Sequence, residues 1–223
     1  MADQPSRRTS WIRDNGLTLA LALMFAVSLI GMALTGWRSS SEELIAHGRA
    51  GQTFFQYLTS GEFISALFEN WESEFLQMAT YVMLTAVLVQ RGSAESKDPD
   101  KSEEPAKQID PRSAPWPVAK GGWWKQLYAV SLGVALVALF VFSFAMHWFG
   151  SLKAANEQAL LHGKTTISAF AYLLDARFWF ESFQNWQSEF LSTAVLIVLS
   201  IFLRFRGSPE SKPVEAPHSQ TGA

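Results

Sequence analysis

Long apolar runs alternate with strongly polar connections along this chain. The first run, 17–36, has 20 residues and no charge. A helix needs roughly 20 residues to cross about 30 Å of hydrocarbon, so the run is long enough to span a bilayer. Trp11 and Trp37 flank it as interfacial aromatics do. The run exceeds the apolar region of a cleaved signal peptide, usually about 7–15 residues, and so reads as a permanent helix. In the polar connection over 38–61, Ser40 and Glu43 are spaced as a capping box and Gly48 as a C-cap. Together they predict a short surface helix ending at His47. A helical pattern returns from Glu62 to Gln90, with a second span at about 70–89. Phe63, Ile64, Leu67 and Phe68 would lie at the interface as the start of the same helix. A third span is expected at about 128–149 and a fourth at about 184–203. Residues 98–122 and 213–223 are polar and rich in Pro, Ser and charge, the composition of a disordered linker and tail.

The pattern is written twice. NWESEFL at 70–76 returns as NWQSEFL at 185–191. Residues 42–97 align with 157–212 at a constant offset of 115, with 23 of 56 positions identical. The matches include Glu42/Glu157, His47/His162, Gly48/Gly163, Tyr57/Tyr172 and a terminal RGSxESK. The first spans match only in kind. The expected fold is all-α and integral to the membrane. Four transmembrane helices would form two tandem helical hairpins, over 11–97 and 123–212. Each hairpin has an even number of spans, so both halves point the same way, as parallel repeats about a pseudo-two-fold axis along the membrane normal.

Charge supplies the orientation. Thirteen Lys and Arg fall on the termini and the linker, and five on the other two connections. The positive-inside bias then places both termini and the 92–122 linker in the cytoplasm. A net charge of −2 gives no basic field for nucleic acid. The absence of Cys excludes disulfides and thiolate chemistry. The expected partners are the lipid bilayer and either a second copy of the chain or another protein. No cofactor is expected.

Candidate chemistry lies on the second span of each half. On a helical wheel Asn70, Glu74, Gln77 and Tyr81 form one polar stripe, matched by Asn185, Glu189 and Ser192. A Glu about one turn inside the apolar boundary is costly unless paired, protonated or hydrated. Glu74 and Glu189 could therefore form a paired-carboxylate polar core, or could cap neighbouring helices near the headgroups. Glu69 and Glu72 become Gln184 and Gln187 in the second copy, so the repeat does not retain their charge. Trp71, Trp186, Trp37 and Trp148 read as interface anchors. His47 and His162 each precede a glycine at a helix end, where a cation suits the dipole. A metal site shared between them is the weaker reading. His147 has no counterpart and reads as an interface residue. No nucleophile–base triad, phosphate loop, dinucleotide fingerprint or zinc motif is present, so no enzyme is expected.

At NWESEFLQ and RGSAESK the chain resembles an uncharacterised family of bacterial membrane proteins, classed as a domain of unknown function. The resemblance implies no activity, cofactor or catalytic residue. Two functional readings follow from the residues. One is a small transporter or channel-like protein. The other is a structural or stress-related scaffold that docks protein partners through its cytoplasmic segments.

Overall fold

The computed structural model describes residues 11–100 and 114–222. All regular elements among them are helical. In chain order they are α1 (Trp11–Asp14), α2 (Gly16–Ala46), α3 (Phe54–Leu58), α4 (Gly61–Val87), α5 (Trp116–Lys120), α6 (Gly122–Ala129), α7 (Ser131–Leu161), α8 (Ala169–Leu173) and α9 (Ala176–Phe202). By length and composition α2, α7 and α9 can each cross a membrane, which points to a membrane protein. Their apolar side chains face outward: only 6% of the apolar window of α2 is buried. The buried set is mostly polar, with Glu72, Ser73, Ser143, His147, Ser151 and Ser182 among it. Apolar surface outside and polar groups inside is the arrangement lipid favours, because only the interior offers hydrogen-bond partners.

The chain forms two compact units, with the boundary inside α4 after Phe63. In the first unit, α2 is one unbroken helix of 31 residues. At 1.5 Å per residue it is about 46 Å long, well beyond a hydrocarbon core. This corrects the short surface helix expected to end at His47. Ser40 does not cap a helix. Its hydroxyl donates to Glu62 Oε2 at 2.6 Å and accepts from Gln52 Nε2 at 2.7 Å. The helix does end where expected, with Gly48 at φ 72°, a left-handed conformation that glycine adopts without strain. The chain then folds back. Trp37 Nε1 donates to the Gln52 carbonyl at 2.7 Å, and a capping box of Thr53 and Gln56 starts α3. Tyr57 is buried over Gly36, where an added Cβ would meet its hydroxyl at 2.0 Å.

The second unit holds the rest of α4 with α7 and α9. Helix α7 crosses α4 at Gly150, where a Cβ would lie 2.5 Å from the Ser65 backbone nitrogen. Small residues at such crossings let helix backbones approach closely. Aromatic edges fill the neighbouring space: Phe68 against Phe142 at 5.6 Å, Phe144 against Phe178 at 5.5 Å and Phe140 against Trp186 at 6.1 Å.

The tail over 213–222, polar enough to read as disordered, is laid down as turns and bends. Lys212 is the physical reason. Its ammonium donates to the carbonyls of Gly92 (2.6 Å), Pro217 (3.3 Å), His218 (3.0 Å) and Gln220 (2.9 Å). The Gly92 and Gly222 amides donate to Thr221 Oγ1 and the Ser93 carbonyl, each at 2.9 Å. The two RGSxESK segments are thus held together through the tail. In the expected linker, 116–120 form α5, and 101–113 lie outside the described residues.

Candidate functional site

Three helices of the second unit place polar side chains on one spot. On α7, Ser143, His147 and Ser151 recur every fourth residue and so share a face. On α9, Phe178, Glu181, Ser182, Asn185 and Trp186 recur at helical spacing, and on α4 so do Glu69, Glu72 and Ser73. His147 and Glu72 are at the centre, and neither side chain has any exposed surface.

His147 Nδ1 lies 2.8 Å from Glu72 Oε2. The other Glu72 oxygen accepts from Trp186 Nε1 at 2.8 Å. Indole N–H is a donor only, so Glu72 accepts on that side; with Glu72 ionised, the imidazole Nδ1–H is the donor on the other. His147 Nε2 is buried and has no hydrogen-bond partner among the described residues. Glu181 Oε2 lies 3.9 Å from it. A proton added to His147 would therefore sit on Nε2, facing Glu181, with the ring between two carboxylates.

Glu181 connects this interior to the surface. Its Oε2 accepts from Ser151 Oγ at 2.9 Å, and its Oε1 from Arg177 Nε at 3.1 Å. Tyr172 meets the same serine at 2.6 Å. Ser151 has one proton and gives it to Glu181, so Tyr172 is the donor to Ser151. Burial pushes the Tyr172 hydroxyl above its ordinary value, which keeps it a donor. The Arg177 side chain is 61% exposed, that of Glu181 is 23% exposed and that of His147 is fully buried. A graded polar path thus runs from an exposed guanidinium to a closed His–Glu pair. Asn185 borders it, its amide donating to Glu69 Oε1 and to the Glu181 carbonyl. The Phe178 ring, itself fully buried, lies 5.0 Å from the His147 ring and closes one side.

Of the residues singled out from sequence, Asn185 and Trp186 belong to this site. Glu74 is exposed, and Glu189 lies within its electrostatic reach. Asn70 is exposed and donates to the Ala66 carbonyl of its own helix at 2.8 Å, and exposed Ser192 donates to the Glu189 carbonyl at 2.9 Å. Gln77 donates to Thr193, and Tyr81 to Glu95 Oε2 at 2.7 Å. Of the tryptophans, Trp71 packs edge-on to Phe68, Trp148 donates to the Ala169 carbonyl at 3.1 Å, and Trp186 donates to Glu72. His47 and His162 lie at helix ends, where each ring nitrogen Nδ1 is 2.9 Å from a carbonyl one turn back. No group of three or more His, Asp or Glu is arranged to hold a metal ion among the described residues.

Two central residues went the other way. His147, read as an interface residue, is sealed inside the protein, and Glu72, set aside because Gln187 replaces it in the second copy, is its partner. A signal for His147 was present: Ser143, His147 and Ser151 form a polar stripe on an otherwise apolar run.

Neither the curated proteins nor the solved structures include a match to this chain. A family match does extend over residues 8–223, and the chain belongs to that family, a domain of unknown function, DUF6766.

Proposed function

We propose that this is a small multi-pass membrane protein of the transporter or channel-like class, and that its working part is a proton-carrying relay of His147, Glu72 and Glu181. One observation carries the reading: a fully buried imidazole with one nitrogen tied to a carboxylate and the other unpartnered, facing a second carboxylate. Ionisable groups at membrane depth are expensive and mark ion or proton pathways. A His–Glu pair sealed merely for stability would be a poor choice, since well-packed apolar residues often hold a core equally well. Proton entry would run through Glu181, whose surface end is open beside Arg177.

The surrounding architecture in this reading is four spans, with α4 as the fourth. It matches α9 in length, at 27 residues. Helices α2, α3 and α4 also recur as α7, α8 and α9 at a constant offset of 115, which favours two tandem hairpins of common origin. The site would then be single, because His147 corresponds to Met32, and Glu72 to Gln187. The Lys and Arg count favours both termini on the cytoplasmic side of a bacterial inner membrane. The paired carboxylates Glu74 and Glu189 remain a secondary candidate for the same transport reading. For a scaffold, the docking element would be the linker and not the RGSxESK ends, since Ser93, Ala94 and Lys212 are buried within the chain.

The test is proton flux. The full chain is reconstituted into vesicles holding a trapped pH indicator, and a pH step is applied. The wild type is expected to equilibrate faster than empty vesicles, and His147→Gln and Glu72→Gln at the empty-vesicle rate. Equal rates for wild type and empty vesicles, or for wild type and both variants, would sink the proposal.

A further inference from the structure

A cavity of about 330 Å³ lies between α4 and α9, next to the first RGSxESK segment. It is at the lower end of the size range of small-molecule sites, roughly 300–1,000 Å³. Its apolar wall is made by Leu84, Leu88, Val89, Phe190, Ala194 and Ile197. The neutral polar groups there are largely committed within the chain. Gln77 donates to Thr193, and Thr85 Oγ1 to the Tyr81 carbonyl at 2.8 Å. One lining residue carries a formal charge, Glu95, and it accepts from the Tyr81 hydroxyl at 2.7 Å. Glu210 of the tail hydrogen-bonds to Glu95, which two carboxyls can do only by sharing a proton. Among the described residues no Lys or Arg pairs with Glu95.

We propose that this cavity binds a monovalent organic cation with an apolar body, its charged head against Glu95 and the Tyr81 ring. The chemistry excludes the neighbouring classes of ligand. A purely apolar occupant would press hydrocarbon onto a carboxylate, which is costly. A hard inorganic cation needs about six or more oxygen ligands, and these walls are mostly carbon. An alkyl-aryl ammonium satisfies both ends: the body replaces water on apolar walls, and the head meets a carboxylate and an aromatic face. The site is separate from the His147 relay and does not rest on it.

Calorimetry on the full chain in a neutral detergent tests this, with benzyltriethylammonium as probe and n-butylbenzene as its neutral counterpart. Saturable 1:1 binding of the cation is expected, with the neutral probe at least tenfold weaker. Glu95→Gln should weaken the cation at least tenfold, and Ala194→Trp, which fills the cavity, should abolish binding. Absence of saturable cation binding, equal affinity for both probes, or an unchanged affinity in Glu95→Gln would each overturn the proposal. Helicity and gel-filtration behaviour check that the variants fold, and the comparison of the two probes on the wild-type chain needs no variant.

Discussion

The His147 imidazole and the Glu72 carboxylate meet at 2.8 Å, and neither side chain has exposed surface. Removing one partner from such a pair strands the other, at a cost of about 3–5 kcal/mol. His147→Leu and Glu72→Leu should therefore each lower stability by about that amount. The double replacement should cost clearly less than their sum, because it leaves no buried charge. Reversible unfolding in bicelles, read as a double-mutant cycle, measures the coupling. Additive losses would mean that the two groups do not act as a pair.

The α4–α7 crossing rests on a missing methyl. A Cβ on Gly150 would lie 2.5 Å from the Ser65 nitrogen and 2.8 Å from an Ile64 methyl, so Gly150→Ala must push two backbones apart. Overpacking of this kind costs about 1–3 kcal/mol. Gly31 has nothing within 4 Å of its added Cβ, and Gly31→Ala should be neutral or slightly stabilising through helix propensity. The same unfolding measurement on both variants checks the contrast, and equal effects would contradict the crossing geometry.

Lys212 ties the tail to the first RGSxESK segment through four carbonyls. Lys212→Met keeps the apolar stem but loses all four bonds, so the tail should come loose while the helices stay intact. The chain has no Cys, so Ser219→Cys gives a unique place for a fluorophore. Its anisotropy should fall in the Lys212→Met background. An unchanged anisotropy would show that other contacts hold the tail.

The same label reads a pH effect. A hydrogen bond with Glu95, then that carboxylate's charge, raises the Glu210 carboxyl above its ordinary 4.5. A group with a raised folded-state value favours the docked tail below its ordinary value and loses that contribution as pH rises through the folded one. Anisotropy should accordingly decline as pH rises from about 4.5, and Glu210→Gln should flatten the decline. A rise with pH would have the wrong sign for this contact.

Much of the architecture was legible because it depends on periodicity and length alone. The apolar runs marked α2, α7 and α9, and Gly48 and Gly163 marked where α2 and α7 end. The continuity of α2 past Trp37 was hidden, since its last two turns are polar and their partners, Gln52 and Glu62, lie 12 and 22 residues from Ser40. The relay was hidden for a related reason. Residues that recur between the halves drew the eye to Asn70 and Glu74, but His147 and Glu72 have Met32 and Gln187 as counterparts. A site built once, from positions where the halves differ, is invisible to a search for what they share. For Lys212 likewise, nothing local in the sequence indicated four carbonyls waiting for it.

The central claim is that His147 changes its protonation state while paired to Glu72 inside the protein. Nitrogen-15 resonance of the imidazoles, with the full chain in lipid bilayers, observes that event directly. The chain has four histidines, and His147→Gln assigns the signal. The account predicts that the His147 resonance titrates, and that Glu72→Gln moves its midpoint while leaving those of His47, His162 and His218 in place. A His147 resonance that stays fixed across the whole accessible pH range, or one indifferent to Glu72→Gln, would contradict it.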